Sequence, residues 1–213
     1  MKLTVFGATG GIGGHVVSQA LDAGHTVTAV VRDRARLAVP DHPRLHVVTV
    51  AGLTEPGPLE PALPGSDAVV SGVGPSARKQ AGVAAVATRA ITAAMAAVGV
   101  RRIVAVSAMP VGPTAEGEAF IRARIAIPVV RRVLRPVYDD LAAMEADLRR
   151  GGTEWTVVRP PRLDDKPLTG RYRLAFGANV RNGAFVSRAD VAHAMLALVA
   201  DPRAVNQAVG VAR

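Results

Sequence analysis

At the N-terminus a short apolar run, Leu3–Phe6, turns straight into glycines: Gly7-Ala8-Thr9-Gly10-Gly11-Ile12-Gly13. A helical pattern follows at once, over about residues 12–23, and a second β-branched run, Thr26–Val31, lies beyond it. In a strand–turn–helix unit of this kind each glycine has a separate task. Gly7 permits the tight turn, Gly10 lets backbone approach a pyrophosphate, and Gly13 lets helix and strand pack closely. The pyrophosphate then faces the helix N-terminus, whose free N–H groups and dipole favour anions. Gly11 and Ile12 lie in the same turn, and Thr9 offers it a hydroxyl.

The rest of the chain repeats the alternation. Further strands are predicted at Leu45–Val50, Ala68–Ser71, Ile103–Ser107 and Trp155–Arg159, and helices at about 82–98, 137–150 and 188–200. Val- and Ile-rich strands alternating with helices define an α/β chain with a doubly wound parallel sheet of Rossmann type. Residues 1–213 are expected to form a single domain, since neither a repeat nor a low-complexity linker divides them. Residues 108–136, with prolines at 110, 113, 128 and 136, read as irregular, and residues 160–183 as loop-like. Both segments follow strands, which sets them over the carboxyl edge of the sheet, where ligands bind in such folds.

Strand two ends in Arg32-Asp33-Arg34-Ala35-Arg36. A chain using NADH places an acid at the strand tip to hold the ribose 2′-hydroxyl. Here Arg32 takes the tip, with Arg34 and Arg36 behind it, and guanidinium groups suit a 2′-phosphate. The reading favours NADPH over NADH, with Asp33 the residue that keeps NADH open.

Composition removes other classes. Cysteine is absent, which excludes disulfides and thiolate chemistry. His15, His25, His42, His46 and His193 form no pair with metal-ligand spacing, so no metal is expected. The chain lacks a Gly-x-Ser-x-Gly elbow, which speaks against a hydrolase. Net charge is +9, carried almost wholly by arginine, with lysine only at Lys2, Lys79 and Lys166, and aromatics make up 3%. A basic stripe interleaved with aromatics is therefore missing, and a nucleic-acid partner is not expected. Arginines concentrate at Arg122, Arg124, Arg131, Arg132 and Arg135. The apolar stretch Val83–Val100 is alanine-rich and broken by Arg89, so it reads as a helix on a sheet and no membrane partner is expected. The first residues have neither the basic head nor the apolar length of a signal peptide, which gives a cytoplasmic expectation. The fold reads as a monomer or small homo-oligomer.

The residues resemble a known group. Phe6-Gly7-Ala8-Thr9-Gly10, Val30-Val31-Arg32-Asp33, Ser107-Ala108, Asp139-Asp140 and the stretch Pro160-Pro161-Arg162-Leu163-Asp164-Asp165-Lys166-Pro167-Leu168-Thr169-Gly170-Arg171-Tyr172 are similar to atypical short-chain dehydrogenase/reductase-like NAD(P)H-binding proteins, and within them to the NADPH-dependent flavin reductase (biliverdin IXβ reductase) group. That resemblance implies that Gly7, Thr9, Gly10, Ile12 and Gly13 line the pyrophosphate, and that Arg32 and Arg36 hold the 2′-phosphate. It also implies that Gly72, Val73 and Gly74 run along the adenosine and ribose, with Ser107 and Ala108 by the nicotinamide and Pro160 and Pro161 on its other side. The chain departs from the pattern at Val50-Ala51, where the similar proteins have Gly-Asp, and at Arg162, where the flavin reductase has histidine.

The chemistry follows from what is missing. Neither Tyr138 nor Tyr172 has a lysine four residues on, those positions being Ala142 and Phe176. Tyr-x-x-x-Lys protonation of a carbonyl oxygen is therefore disfavoured. Hydride transfer to a conjugated ring asks less, because the charge spreads over the ring. Ser107 is the candidate for orienting nicotinamide or substrate, Arg162 for holding an anionic oxygen, and Tyr138 for donating a proton. The expected substrate is a small planar acceptor, such as a flavin, quinone or tetrapyrrole, to which the arginines would suit negative charge. An NmrA-like sensor of NADP(H) and a biosynthetic reductase or isomerase of one aromatic intermediate are the rival readings. Asp139-Asp140 reads as a helix N-terminal charge preference and Asp164-Asp165 as a solvated loop.

Overall fold

The computed structural model describes residues 1–74, 82–113, 115, 117–118 and 127–213. Along the chain run β1 (Lys2–Phe6), α1 (Gly11–Asp22), β2 (Thr26–Val31), β3 (Leu45–Thr49), β4 (Ala68–Ser71), α2 (Val83–Val98), β5 (Arg102–Val106), α3 (Ile127–Val133), α4 (Arg135–Arg150), β6 (Glu154–Arg159), β7 (Arg162–Asp164), β8 (Arg173–Phe176), β9 (Phe185–Ser187), α5 (Arg188–Val199) and β10 (Gln207–Ala212). Eight strands form one sheet in the order β3-β2-β1-β4-β5-β6-β10-β8. Its neighbours are parallel except β8, which runs antiparallel to β10. The class is that expected: a Rossmann-type α/β sheet wound in both directions from β1.

Alternation along β1 assigns the two faces. Leu3 and Val5 join a core with α1 and α5, whereas Phe6 joins a second core with α2. α1 packs on α5 and α2 on α4, so helices cover both faces. That double burial is why the strands read as unbroken apolar runs. The chain leaves β1 for β2 and β3 and returns to β4 on the other side, so the crevice between the carboxyl ends of β1 and β4 is the topological switch point.

The six strands and four helices expected from the pattern are present, with ends moved by one or two residues. Two segments differ from expectation. Residues 108–136 contain a 3-10 turn at Met109–Val111 and α3, and α4 begins at Arg135. Pro136 sits in the first turn of α4, where the missing N–H costs no hydrogen bond. The 160–183 segment carries β7 and β8, and β7 pairs with β9 in a two-stranded sheet. Arg122 and Arg124 of the basic concentration lie outside the described residues.

Candidate dinucleotide site

Three glycines from separate parts of the chain meet at the switch point. Gly7 adopts φ +74°, and a Cβ there would stand 2.8 Å from the Gly72 carbonyl carbon. On Gly13 a Cβ would stand 2.1 Å from the Gly7 carbonyl oxygen, and on Gly72 it would stand 3.2 Å from the Gly13 nitrogen. No side chain fits at Gly7 or Gly13 without moving backbone. β1, α1 and the turn after β4 can close this tightly only as glycine.

The same closeness produces an anion cradle. The Gly10 N–H donates to the Gly7 carbonyl at 2.9 Å, and the first N–H closing into α1 is that of Gly14, to the Gly10 carbonyl at 2.8 Å. Gly10 caps the helix without a side-chain hydrogen bond. The N–H groups of Gly11, Ile12 and Gly13 therefore have no carbonyl acceptor among the described residues, and they crown the positive end of the helix. Thr9 is half-buried beside them. A diphosphate suits this donor set. Val73 is buried and Gly74 exposed on the β4 side of the crevice.

At the end of β2, Asp33 turns its carboxylate onto its own backbone, accepting from the Ala35 N–H at 3.0 Å. Arg34 pairs with Asp41. Arg32 and Arg36 are exposed and have no ion-pair partner among the described residues. The acid is thus engaged and two guanidinium groups are left over.

At the ends of β5 and β6 lies a buried ionic network. The Ser107 hydroxyl donates to Glu145 Oε1 at 2.8 Å, and Arg159 donates Nε to the same oxygen at 2.9 Å. Glu145 Oε2 accepts from Arg159 Nη2 and from Arg149 Nη2, each at 2.5 Å. The Glu145 side chain is 1% exposed and that of Arg159 5%. Ser107 therefore directs its proton to a carboxylate, leaving its oxygen lone pairs for an outside donor. Glu145 and Arg159 escaped the sequence reading, although a signal existed: Leu141, Met144, Glu145 and Leu148 fall at i, i+3, i+4 and i+7, which sets a charge on the apolar stripe of α4. A buried charge requires a partner.

Ala108 and Tyr138 share a small apolar cluster with Ala84, Ala85 and Met144. Burial raises the Tyr138 phenol above its ordinary pKa, so the group stays protonated at neutral pH. The fold thus brings Ser107, Ala108 and Tyr138 into one neighbourhood. Pro160 joins it, since its carbonyl accepts from the Met109 N–H at 2.8 Å, and Pro161 follows half-buried. Arg162 is farther out on β7, exposed, with its guanidinium 5.6 Å from the Phe185 ring centre. It lines an open depression of about 500 Å³ with Leu163, Asp164, Lys166, Phe185 and Arg213.

Asp140 and Asp164 differ from the sequence reading, whereas Asp165 is exposed and lies outside the strands, as expected. Asp140 does not serve its own helix: it accepts from the Ala84 and Ala85 N–H groups at 3.0 and 2.9 Å and so caps α2, whose own N-cap is Gly82. Asp139 pairs with Arg135 at 3.3 Å. Asp164 is a β7 residue that accepts from the Lys166 N–H at 3.2 Å, and Asp165 pairs with Arg188 at 2.6 Å. A further acid, Asp190, ties down the Pro167–Gly170 stretch, accepting from the N–H groups of Thr169 and Gly170 and from the Thr169 hydroxyl, each at 2.9 Å. Burial alone would raise its pKa; these hydrogen bonds outweigh it and hold the carboxyl below the ordinary range.

An anion cradle at a switch point, glycine-walled on both sides, defines a dinucleotide-binding Rossmann protein. Residues 7–202 match the model of a family described as NAD(P)H-binding, and the chain belongs to that family. Solved structures share the fold. A short-chain dehydrogenase/reductase from Veillonella parvula, in complex with NADP, is 23% identical over 100% of this chain and 94% of its own, with TM-score 0.79. The anaerobilin reductase ChuY from Escherichia coli O157:H7 is 21% identical over 100% and 97%, with TM-score 0.76. The oxidoreductase ylbE from Lactococcus lactis is 18% identical over 100% and 91%, with TM-score 0.83. Among the described residues no helix is long and apolar enough to cross a membrane.

Proposed function

We propose that the chain is an NADPH-dependent reductase that delivers hydride to a planar conjugated acceptor, a flavin, quinone or linear tetrapyrrole. The observation that carries this reading is the chemistry missing beside Ser107. Its hydroxyl proton is given to Glu145, and no lysine follows Tyr138 or Tyr172 at the spacing that would make either phenol an effective acid. A site of this kind serves an acceptor that spreads the incoming charge over its own ring.

The roles follow residue by residue. When bound, the nicotinamide supplies a hydride. The N–H groups of Gly11, Ile12 and Gly13 take the diphosphate, and Arg32 and Arg36 the 2′-phosphate. Ser107, fixed by Glu145, accepts a hydrogen bond from the carboxamide or substrate, with Pro160 and Pro161 along the other side. Arg162, Lys166 and Arg213 around Phe185 favour an anionic aromatic acceptor. A tetrapyrrole reductase among the fold neighbours is consistent with that choice.

The test is the absorbance loss of NADPH with flavin mononucleotide, menadione and biliverdin, against benzaldehyde and cyclohexanone as simple carbonyls. Turnover with one or more of the ring acceptors and none with the carbonyls is expected. Tight NADPH binding without turnover on any ring acceptor would contradict the reading and favour a sensor.

A further inference from the structure

We propose that Arg188 is a diphosphate-binding residue of the dinucleotide site, admitted to the glycine loop by Gly11; the inference rests on the reading of that loop as a nicotinamide dinucleotide site. Arg188 is the first residue of α5, which packs along α1. Its stem crosses the start of α1: a Cβ on Gly11 would stand 2.7 Å from Arg188 Cδ and 3.0 Å from its Nε. Gly11 has no positive φ, so its backbone suits any residue. What a Cβ there would meet is the outer part of the arginine, which would have to swing aside. Gly11 thus leaves the Arg188 stem room to lie against the glycine loop, where the turn, the backbone approach and the helix–strand packing already use Gly7, Gly10 and Gly13.

The charge state of the place points the same way. The Arg188 guanidinium lies at the end of α1 where the N–H groups of Gly11, Ile12 and Gly13 are unsatisfied. A cation beside the positive end of a helix is unfavourable unless an anion sits between them. Among the described residues the one carboxylate in contact is Asp165, bonded to Nη1 at 2.6 Å. Asp165 is 85% exposed and the Arg188 side chain 31%, so the arginine is the fixed member and the aspartate the loose one. A guanidinium has five N–H donors, and among the described residues only Nη1 has an acceptor. The donors left over match a diphosphate oxygen, which Arg188 and the helix amides then hold from two sides. The pair with Asp165 ties the segment after β7 to the start of α5.

The experiment is calorimetric titration of NADPH, NADH and adenosine 2′-monophosphate into the wild-type chain and the variants R188A, R188K and G11A. NADPH and NADH share the diphosphate, which the third probe lacks. A charge-assisted hydrogen bond to phosphate sets the expected loss, so R188A weakens NADPH and NADH alike by about tenfold or more and leaves adenosine 2′-monophosphate within about twofold. R188K recovers part of the affinity, because lysine restores the charge without the fork. G11A keeps the charge, displaces the stem and weakens both dinucleotides. R188A binding both dinucleotides as the wild type does, or losing all three probes equally, would overturn the proposal. A wild-type chain that binds neither dinucleotide overturns the site reading with it. If NADH binds better than NADPH while the R188A effect persists, only the 2′-phosphate assignment fails.

Discussion

Replacing Glu145 by alanine is the perturbation whose cost the structure specifies best. Glu145 is fully buried and its two oxygens accept four hydrogen bonds, two from Arg159, one from Arg149 and one from Ser107. Arg149 is about half-exposed and can turn to water, so its share is small. Arg159 cannot: it is buried, and Gly112 lies so close that a Cβ there would meet Nη1 at 2.4 Å. Glu145→Ala strands that guanidinium, and breaking a buried pair from one side costs about 3–5 kcal/mol. In a chain of this length each kcal/mol lowers Tm by about 2–4 °C, so a fall of about 6–20 °C is expected in thermal unfolding. Urea denaturation at neutral pH gives the free energy directly. The double variant Glu145→Met, Arg159→Met removes both charges together and is expected to recover most of the loss, since apolar replacements of buried pairs are often neutral or stabilising. A loss below about 1 kcal/mol for Glu145→Ala, or a double variant as unstable as the summed singles, would refute the burial argument.

Other outcomes follow from particular contacts. Gly13→Ala, whose Cβ would overlap the Gly7 carbonyl at 2.1 Å, is expected to abolish measurable NADPH binding and to cost about 1–3 kcal/mol by overpacking, read by titration and urea melts. Asp140→Ala removes the cap from two N–H groups of α2 and is expected to cost about 1–2 kcal/mol. Asp190 titrates lower in the folded chain than in the unfolded one, so its stabilisation is complete above the unfolded value of about 3.9 and is lost as pH falls through the folded value. Below about pH 4 the wild type should therefore lose stability more steeply than Asp190→Asn, as compared by urea melts across acid pH. Parallel curves would remove Asp190 from the account.

The fold was legible where one local rule decides. The β1–α1–β2 unit follows from glycines with different steric tasks, and the other parallel strands from apolar runs covered on both faces. β7 and β9 are only three residues each, flanked by Pro161 and Ala184, and their pairing is set by distant chain rather than by their own pattern. α3 was hidden because Pro128 reads as a breaker, yet it sits near the helix start, where proline is tolerated. In the site, the glycine loop was visible as short-range chemistry, and Arg32 stands exposed just after β2, where its place in the sequence set it. The Glu145–Arg159 pair was visible only in part, as a charge on an apolar stripe. Asp140 capping α2 and Arg188 lying on Gly11 join residues far apart in sequence, and only the packing of α4 on α2 and of α5 on α1 brings them together.

The central claim is that NADPH seats on the glycine loop with its 2′-phosphate on the arginine pair after β2. Its most direct test is the ratio of NADPH to NADH dissociation constants for the wild type and for Arg32→Ala, Arg36→Ala. Two charge-assisted contacts, discounted for exposure, predict that the wild type prefers NADPH by about tenfold or more. The double variant is expected to lose that preference while keeping its affinity for NADH. A wild type that binds NADH as well as NADPH, or a variant that loses both equally, would contradict the claim.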